Sequence, residues 1–527
     1  MKRLYYILIA AACVSACNFL ELNESDYQSK EYQFSTFENT KAVATNVYGY
    51  IYDYLSDVEG TMREAATDNA VYAWETSEIK RYYDGSWSGT RTIDDKWSTL
   101  YSAIAAANYY LENAPTDFPE SRYLEDYTQR MEQLKGYPYE ITALRAWFHF
   151  ELLKRYNNII IADRSFTLDE VNDITPTSYA DAAQWIISEL DGVIPMLPDS
   201  YAETYAGEVG RITKGAARAI KARTQLYLAS PLNNTANDNK LWANAAATCK
   251  QIIDSGTYSL VDEDVVNNTA AVGGIFYVLE TPSNSFESAN FPIGFEGGNS
   301  GICPSLNLVE AFEDGDTRLA KTVYANGDSL QSAAIQTYYG GANGKPKKGA
   351  TPTGFYLRKF IREETSFTVG NTTSYQHVVP LYRYAEVLLN YAEALFEASS
   401  NPSFKGSLFN VTYTLTPLQA VNMVRERAGL EDLPSSMSAS EFRTALRNER
   451  RVELAFEDHR FWDIRRWEIG GETTKLYGLD QKIADDGTIG SSRILVQTRV
   501  WDDKMNFYPI PDSELYKNSN LVQNPGW

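Results

Sequence analysis

Apolar residues spaced three and four apart recur along most of the chain, and that spacing argues for a stack of α-helices. From Ile93 onward, Ile93, Trp97, Leu100, Ile104 and Leu111 fall on one helix face, with Pro115 beyond the end. Leu144, Trp147, Phe148, Leu152 and Leu153 mark a second helix over residues 141–156, whose wide apolar band predicts burial on more than one side. Ser178 with Asp181 resembles a capping box ahead of Ala182, Ile186 and Leu190, and Thr213 precedes an Ala-rich segment whose small side chains let helices approach closely. Residues 241–255 read as a helix stopped by Gly256. Further helices are expected over 381–398, from Thr416 with Pro417 in the first turn to the stop at Gly429, and from Ser438 with Glu441 as a capping box. They fall in adjacent pairs with short links, which suggests stacked helical hairpins. Trp97, Ala106, Tyr110 and Pro115 form a degenerate match to the tetratricopeptide pattern, although no fixed period repeats.

The middle differs. Residues 258–378 hold fourteen of the 32 glycines and few long periodic segments, with short strands expected at 275–279 and 355–361. Long irregular segments inside compact proteins are usually functional or disordered, and the interspersed aromatics here favour an ordered surface.

At the N-terminus Lys2 and Arg3 precede an apolar run over residues 4–14 that is too short to span a bilayer. It ends in V-S-A-C, which reads as a signal peptide of residues 1–16 closing on a bacterial lipobox, with Cys17 acylated as the mature N-terminus. The alternative is an ordinary secretory signal with an incidental cysteine. Two or three acyl chains would make the attachment stable. A formal net charge of -21 argues against a nucleic-acid partner, because such a partner demands a basic face. The 37 Tyr and 10 Trp suit extracellular polar ligands that also present apolar faces, sugars among them. After processing only Cys249 and Cys303 remain; they read as unpaired, with a disulfide as the alternative.

Enzyme motifs are absent. The three histidines, His149, His377 and His459, form no metal-ligand spacing, and His149 reads as a core residue. G-G-A-N-G-K at 340–345 has the wrong glycine spacing for a phosphate loop, and Pro346 stands where a Ser or Thr would hold magnesium. No catalytic residue, metal or cofactor is therefore expected. Chance pairs among 69 acidic residues carry no information about glycoside hydrolysis.

The strongest ligand candidate is the stretch 68–97, where Tyr72, Trp74, Tyr82, Tyr83 and Trp87 lie among Asp68, Asn69, Arg81, Asp84 and Arg91. A sugar ring needs an aromatic plate for its C–H face and carboxylate, amide or guanidinium groups for its hydroxyl rim. Trp74 and Trp87, in polar surroundings, are the expected plates, with Asp68, Asn69 and Arg91 as hydroxyl partners; Trp97, on the helix face, is expected in the core. A second wall is expected from Phe291, Phe295 and Asn299, and Tyr338 with Tyr339 is a further option.

Three segments resemble one family. N-E-R-R-V-E-L-A-F-E-D-H-R-F-W-D-I-R-R-W at 448–467, V-P-L-Y-R-Y-A-E-V-L-L-N-Y-A-E-A at 379–394 and the closing F-Y-P-I-P-D-S-E-L-Y-K-N-S-N-L-V-Q-N-P-G-W are similar to motifs of the SusD/RagB outer-membrane lipoproteins. Weaker likeness at 304–316 and 97–108 extends this over nearly the whole chain. The resemblance implies a mainly α fold, with tetratricopeptide-like hairpins over about 36–257 and 379–466, a loop-rich insert over about 258–378 and a closing segment over 467–527, all one domain from residue 17. It further implies an outer-membrane, lipid-anchored protein that binds an oligosaccharide or polysaccharide without catalysis and caps a SusC-type TonB-dependent transporter. Binding residues in that family tend to lie in the two regions named above. A glycoside hydrolase, or a transporter lid with no sugar affinity, are the rival expectations. The charged run 448–467, interleaved with aromatics, reads as a partly buried ion-pair network that sets the chain path.

Overall fold

The protein is described from a computed structural model over residues 29–201, 208–261, 267–268 and 272–527; the expected signal segment 1–16 and Cys17 lie outside these residues. Helix α1 (Phe37–Tyr48) starts where the Thr36 hydroxyl accepts the Asn39 N–H. Helices α2 (Trp97–Asn113) and α3 (Tyr127–Tyr156) pack as a hairpin; α3 begins well before the expected residue 141 and carries Pro138 inside it. In its second half Ile141, Leu144, Phe148, Leu152 and Leu153 are all buried, as the wide apolar band requires. Helix α4 (Tyr179–Val193) is capped by the Ser178 hydroxyl, and α5 (Lys214–Ala229) by that of Thr213. Ala216, Ala217, Ala219 and Ala222 on α5 are buried, and their small side chains allow close approach to α4 and to α6 (Asn239–Asp254).

After α6 the chain leaves the stack and returns in α7 (Tyr384–Ser399), which packs directly on α6. Helices α8 (Pro417–Arg427) and α9 (Ala439–Glu453) pack on α7, each opened by a complete capping box, Thr416 with Gln419 and Ser438 with Glu441. Each hairpin thus covers the apolar face its neighbour exposes, giving a mainly α, tetratricopeptide-like stack. Among the described residues no helix is long and apolar enough to cross a membrane.

Three expectations need correction. Ile93 is buried but lies before α2, which starts only at Trp97. Residues 381–383 open no helix: they end strand β4 (Val378–Arg383), antiparallel to β2 (Gly274–Leu279), so pairing with the insert overrides the local helical pattern. Of 355–361 only Tyr356–Leu357 is strand, because its partner is equally short. The insert is tied to the stack elsewhere by β1 (Ala70–Tyr72), which pairs antiparallel with β3 (Ile302–Pro304). A hairpin of β5 (Lys475–Ile483) and β6 (Ile489–Thr498) follows the short helix α10 (Arg460–Arg466).

Most of the charged run 448–467 is buried and paired. Arg450 donates to Asp463 at 2.7 Å and to Asn390 at 2.6 Å, while Arg466 reaches Glu393 with two nitrogens at 2.6 and 2.7 Å. His149 is buried too: its Nδ1–H donates to the Arg145 carbonyl at 2.8 Å, and Nε2 accepts the Ala162 N–H at 3.1 Å. Burial pushes its pKa down to about 3, so it is a neutral core histidine. Cys249 and Cys303 are both free and buried.

Candidate functional site

The polar stretch 68–97 divides into an interior part and a surface part. Asp68 and Asn69, expected as hydroxyl partners for sugar, face inward. Arg460 grips both Asp68 oxygens at 2.8 and 2.9 Å, and Arg451 lies 3.0 Å from the same carboxylate. Burial alone would raise the Asp68 pKa, but the two guanidiniums hold it well below the carboxylate range. Asn69 accepts from Arg451 at 2.7 Å and donates to Glu64 at 2.5 Å, which leaves neither residue open to a ligand.

Trp87, expected as a stacking plate, is only 3% exposed. Its indole meets Tyr82, Tyr508 and Trp527 edge-on at centroid distances of 4.9, 4.8 and 4.9 Å. The closing segment therefore covers it, and Tyr82 is buried in the same cluster with its hydroxyl 2.8 Å from that of Tyr508. Trp87→Ala is expected to cost about 3 kcal/mol in denaturant unfolding, the effect of a large cavity, without a direct effect on ligand affinity. Phe291, expected in the second wall, is buried against Phe367 at 5.8 Å. Tyr83 is half-buried under Arg499, whose guanidinium lies 4.2 Å from the ring centroid and donates to the carbonyls of Thr67, Ala65 and Ala70. Arg91 is exposed, its backbone N–H bonded to the Ser88 carbonyl.

The surface part centres on Trp74, which is half-buried. The β1–β3 pairing sets Tyr72 opposite Ile302, and the next N–H, that of Ala73, donates to the Gly301 carbonyl at 2.8 Å. One residue on, the Trp74 Nε1–H donates to the carbonyl of exposed Asn299 at 2.7 Å. The early loop and the Phe295–Asn299 loop are thus joined, in keeping with two walls. Phe295 is half-buried on the small cluster beneath. A third segment completes the platform, following the Tyr338–Tyr339 pair that was only a further option in the sequence: Gly349, at φ +82°, backs the indole so closely that a Cβ there would lie 2.7 Å from Trp74 Cζ2. The Lys348 ammonium sits 5.7 Å from the same ring centroid. This segment continues from Tyr338 and the 57% exposed Tyr339. Its only sequence signal was the polar Gly/Lys run immediately after those tyrosines.

A separate groove of about 530 Å³ lies where α2 meets residues 160–174 and 514–521, lined by Tyr101, Phe166, Arg164 and Glu514 among others. Arg164 is paired with Glu170 and Glu514 with Lys517, so its charged groups are already satisfied. Among the described residues no group of three His, Cys, Asp or Glu side chains is placed to hold a metal ion.

Comparison with known proteins accords with this architecture. The family model described as SusD family matches residues 273–527, and one described as starch-binding associating with outer membrane matches residues 18–228. A SusD-like protein of Bacteroides fragilis superposes with a TM-score of 0.77 at 25% identity, covering 94% of this chain and 98% of that one. A SusD-like carbohydrate-binding protein of the same species gives 0.75 at 25% identity, covering 93% and 99%. A SusD-like protein of Formosa agariphila is 23% identical over 461 residues, 82% of this chain and 80% of its own. With two SusD-type models matching either side of the insert's start, on a fold shared over almost the whole length, the chain belongs to the SusD/RagB family of carbohydrate-binding, outer-membrane-associated proteins.

Proposed function

We propose that this protein captures an oligosaccharide on the Trp74 platform and passes it to a SusC-type TonB-dependent transporter, without cleaving it. The observation that carries the reading is the Trp74 indole, held at the surface by its Nε1–H bond to Asn299 and backed by Gly349. Such an indole is fixed before ligand arrives, so little ordering entropy is lost on stacking a sugar face. If about 50 Å² of apolar surface leaves water, each stacked ring contributes roughly 1 to 1.5 kcal/mol. Affinity should then be weak for one ring and grow with chain length. Asn299, whose side-chain N–H₂ donates to the Ser288 carbonyl at 3.0 Å, offers its amide oxygen to a hydroxyl on the rim. Tyr72 and Phe295 lie on the two loops that the Trp74–Asn299 bond joins. A lipid on Cys17 would hold this surface at the outer membrane, on its exterior face, next to the transporter.

Calorimetry of the mature protein against a panel of polysaccharides tests the reading. Trp74→Ala is expected to weaken glycan binding about tenfold, which corresponds to roughly 1.4 kcal/mol, with the protein still folded and a melting temperature lowered only by the lost bond to Asn299. Unchanged affinity in that variant would remove the platform from the site. Release of shorter sugars during incubation would instead make the protein a hydrolase, and co-purification with a barrel but no glycan binding would make it a lid.

A further inference from the structure

The segment that backs Trp74 carries Lys345, Lys347 and Lys348, all exposed. The protein has 69 acidic against 48 basic residues, yet no carboxylate among the described residues lies within ion-pair distance of these three. Many arginines of the fold behave otherwise and are paired with buried carboxylates, as in the contacts of Arg383, Arg450 and Arg466. The loop that carries them is tied down. Lys347 Nζ donates to the Ala342 carbonyl within the loop, and the Lys345 carbonyl accepts the Gly340 N–H at 2.6 Å. Asn343 ties the loop to the second wall through a 2.7 Å bond to the Ile293 carbonyl. Lys348 stands over the stacking plate itself. The nearby acids are either engaged or adjacent on the other loops: Glu296 accepts from the Thr368 hydroxyl at 2.8 Å, and Glu75 follows Trp74 as an exposed side chain.

We infer that the glycan this platform takes is an anionic one, bearing carboxylate or sulfate groups that meet Lys345, Lys347 and Lys348 while a ring stacks on Trp74. The inference rests on the capture role proposed above and specifies its substrate class. Each of these exposed ammonium ions could bond a hydroxyl, but three of them on the segment that backs the plate, with no carboxylate paired to them, are matched in charge by an anionic glycan and not by a neutral one. An exposed ammonium–anion pair contributes up to roughly fivefold in affinity, less as salt screens it over about 8 Å.

The test uses calorimetry of the mature protein with polygalacturonate, a sulfated fucan, laminarin and starch, at low and high NaCl. One of the two anionic polymers should bind most tightly, which decides between carboxylate and sulfate, and its affinity should fall on the order of tenfold at high salt. The variant Lys345→Gln/Lys347→Gln/Lys348→Gln should lose about tenfold for that polymer. Lys345→Gln alone, which removes no side-chain hydrogen bond, should lose about threefold with an unchanged melting curve, so a loosened loop cannot account for the result. Equal or tighter binding of a neutral polymer through Trp74, or lysine variants that bind like the parent, would overturn the charge preference and leave the capture role standing. Anionic binding that ignores Trp74→Ala would move it to another surface and overturn the assignment here. No binding of any polymer would overturn both readings.

Discussion

Glu453→Ala is expected to destabilise the protein by at least about 3 to 5 kcal/mol. The Glu453 carboxylate is buried between three guanidiniums, with Arg383 at 2.6 Å, Arg318 at 2.8 Å and Arg427 at 2.5 Å. Burial opposes its charge, but these partners hold its pKa well below the ordinary glutamate value. Removing it would leave three cations short of a partner in a largely buried site. Arg383 joins strand β4 to helix α9, Arg318 belongs to the insert and Arg427 ends helix α8, so one carboxylate ties the loop-rich region to the helical stack. Glu453→Gln, which keeps shape and some hydrogen bonding, should cost less. Denaturant unfolding of both variants checks the ordering, and an Ala variant within about 1 kcal/mol of the parent would mean that this network is not what holds the elements together.

Stability should fall steeply on acidification below about pH 4.5. Glu151 is fully buried, which would raise its pKa, but Lys154 and Arg155 bring it down to about 2; Glu393 is lowered to about 2 in the same way by Arg466 and Arg450. A folded pKa below the unfolded one means that the unfolded chain binds more protons in between. The contribution is therefore complete above the unfolded value near 4.5 and is lost as pH falls toward 2, roughly 3 kcal/mol for each group. Glu64 works in the opposite sense, since burial raises it to about 7. Its contribution is complete below about 4.5 and is lost as pH rises through 7. Unfolding free energies at pH 3, 5 and 8 should thus drop sharply from 5 to 3 and change less from 5 to 8. Equal stability at pH 3 and 5 would contradict the assignment of these buried carboxylates as charged.

Helices α2, α8 and α9 were legible because their signals are local. Apolar spacing, Thr416 with Gln419, Ser438 with Glu441 and the Pro417 first turn all lie within a few residues of what they specify. Strand β4 was not, since its run of valine, leucine and tyrosine continues the helical pattern of α7 and only pairing with β2, about a hundred residues earlier, makes it extended. The site was half legible. Trp74 and Asn299 were named on chemical grounds and do meet, whereas Trp87 had the same polar neighbours in sequence and proved to be core.

Residue order alone was enough for the helical stack, the family and the placing of aromatic residues in two polar loops, because periodicity, caps and motif strings are properties of neighbouring residues. Which ring stays open depended on the folded chain. Trp87 is closed by Tyr508 and Trp527, Asp68 by Arg451 and Arg460, and Lys348 is brought to Trp74 across more than half the chain. Burial is set by partners distant in sequence, and a local pattern carries no record of them.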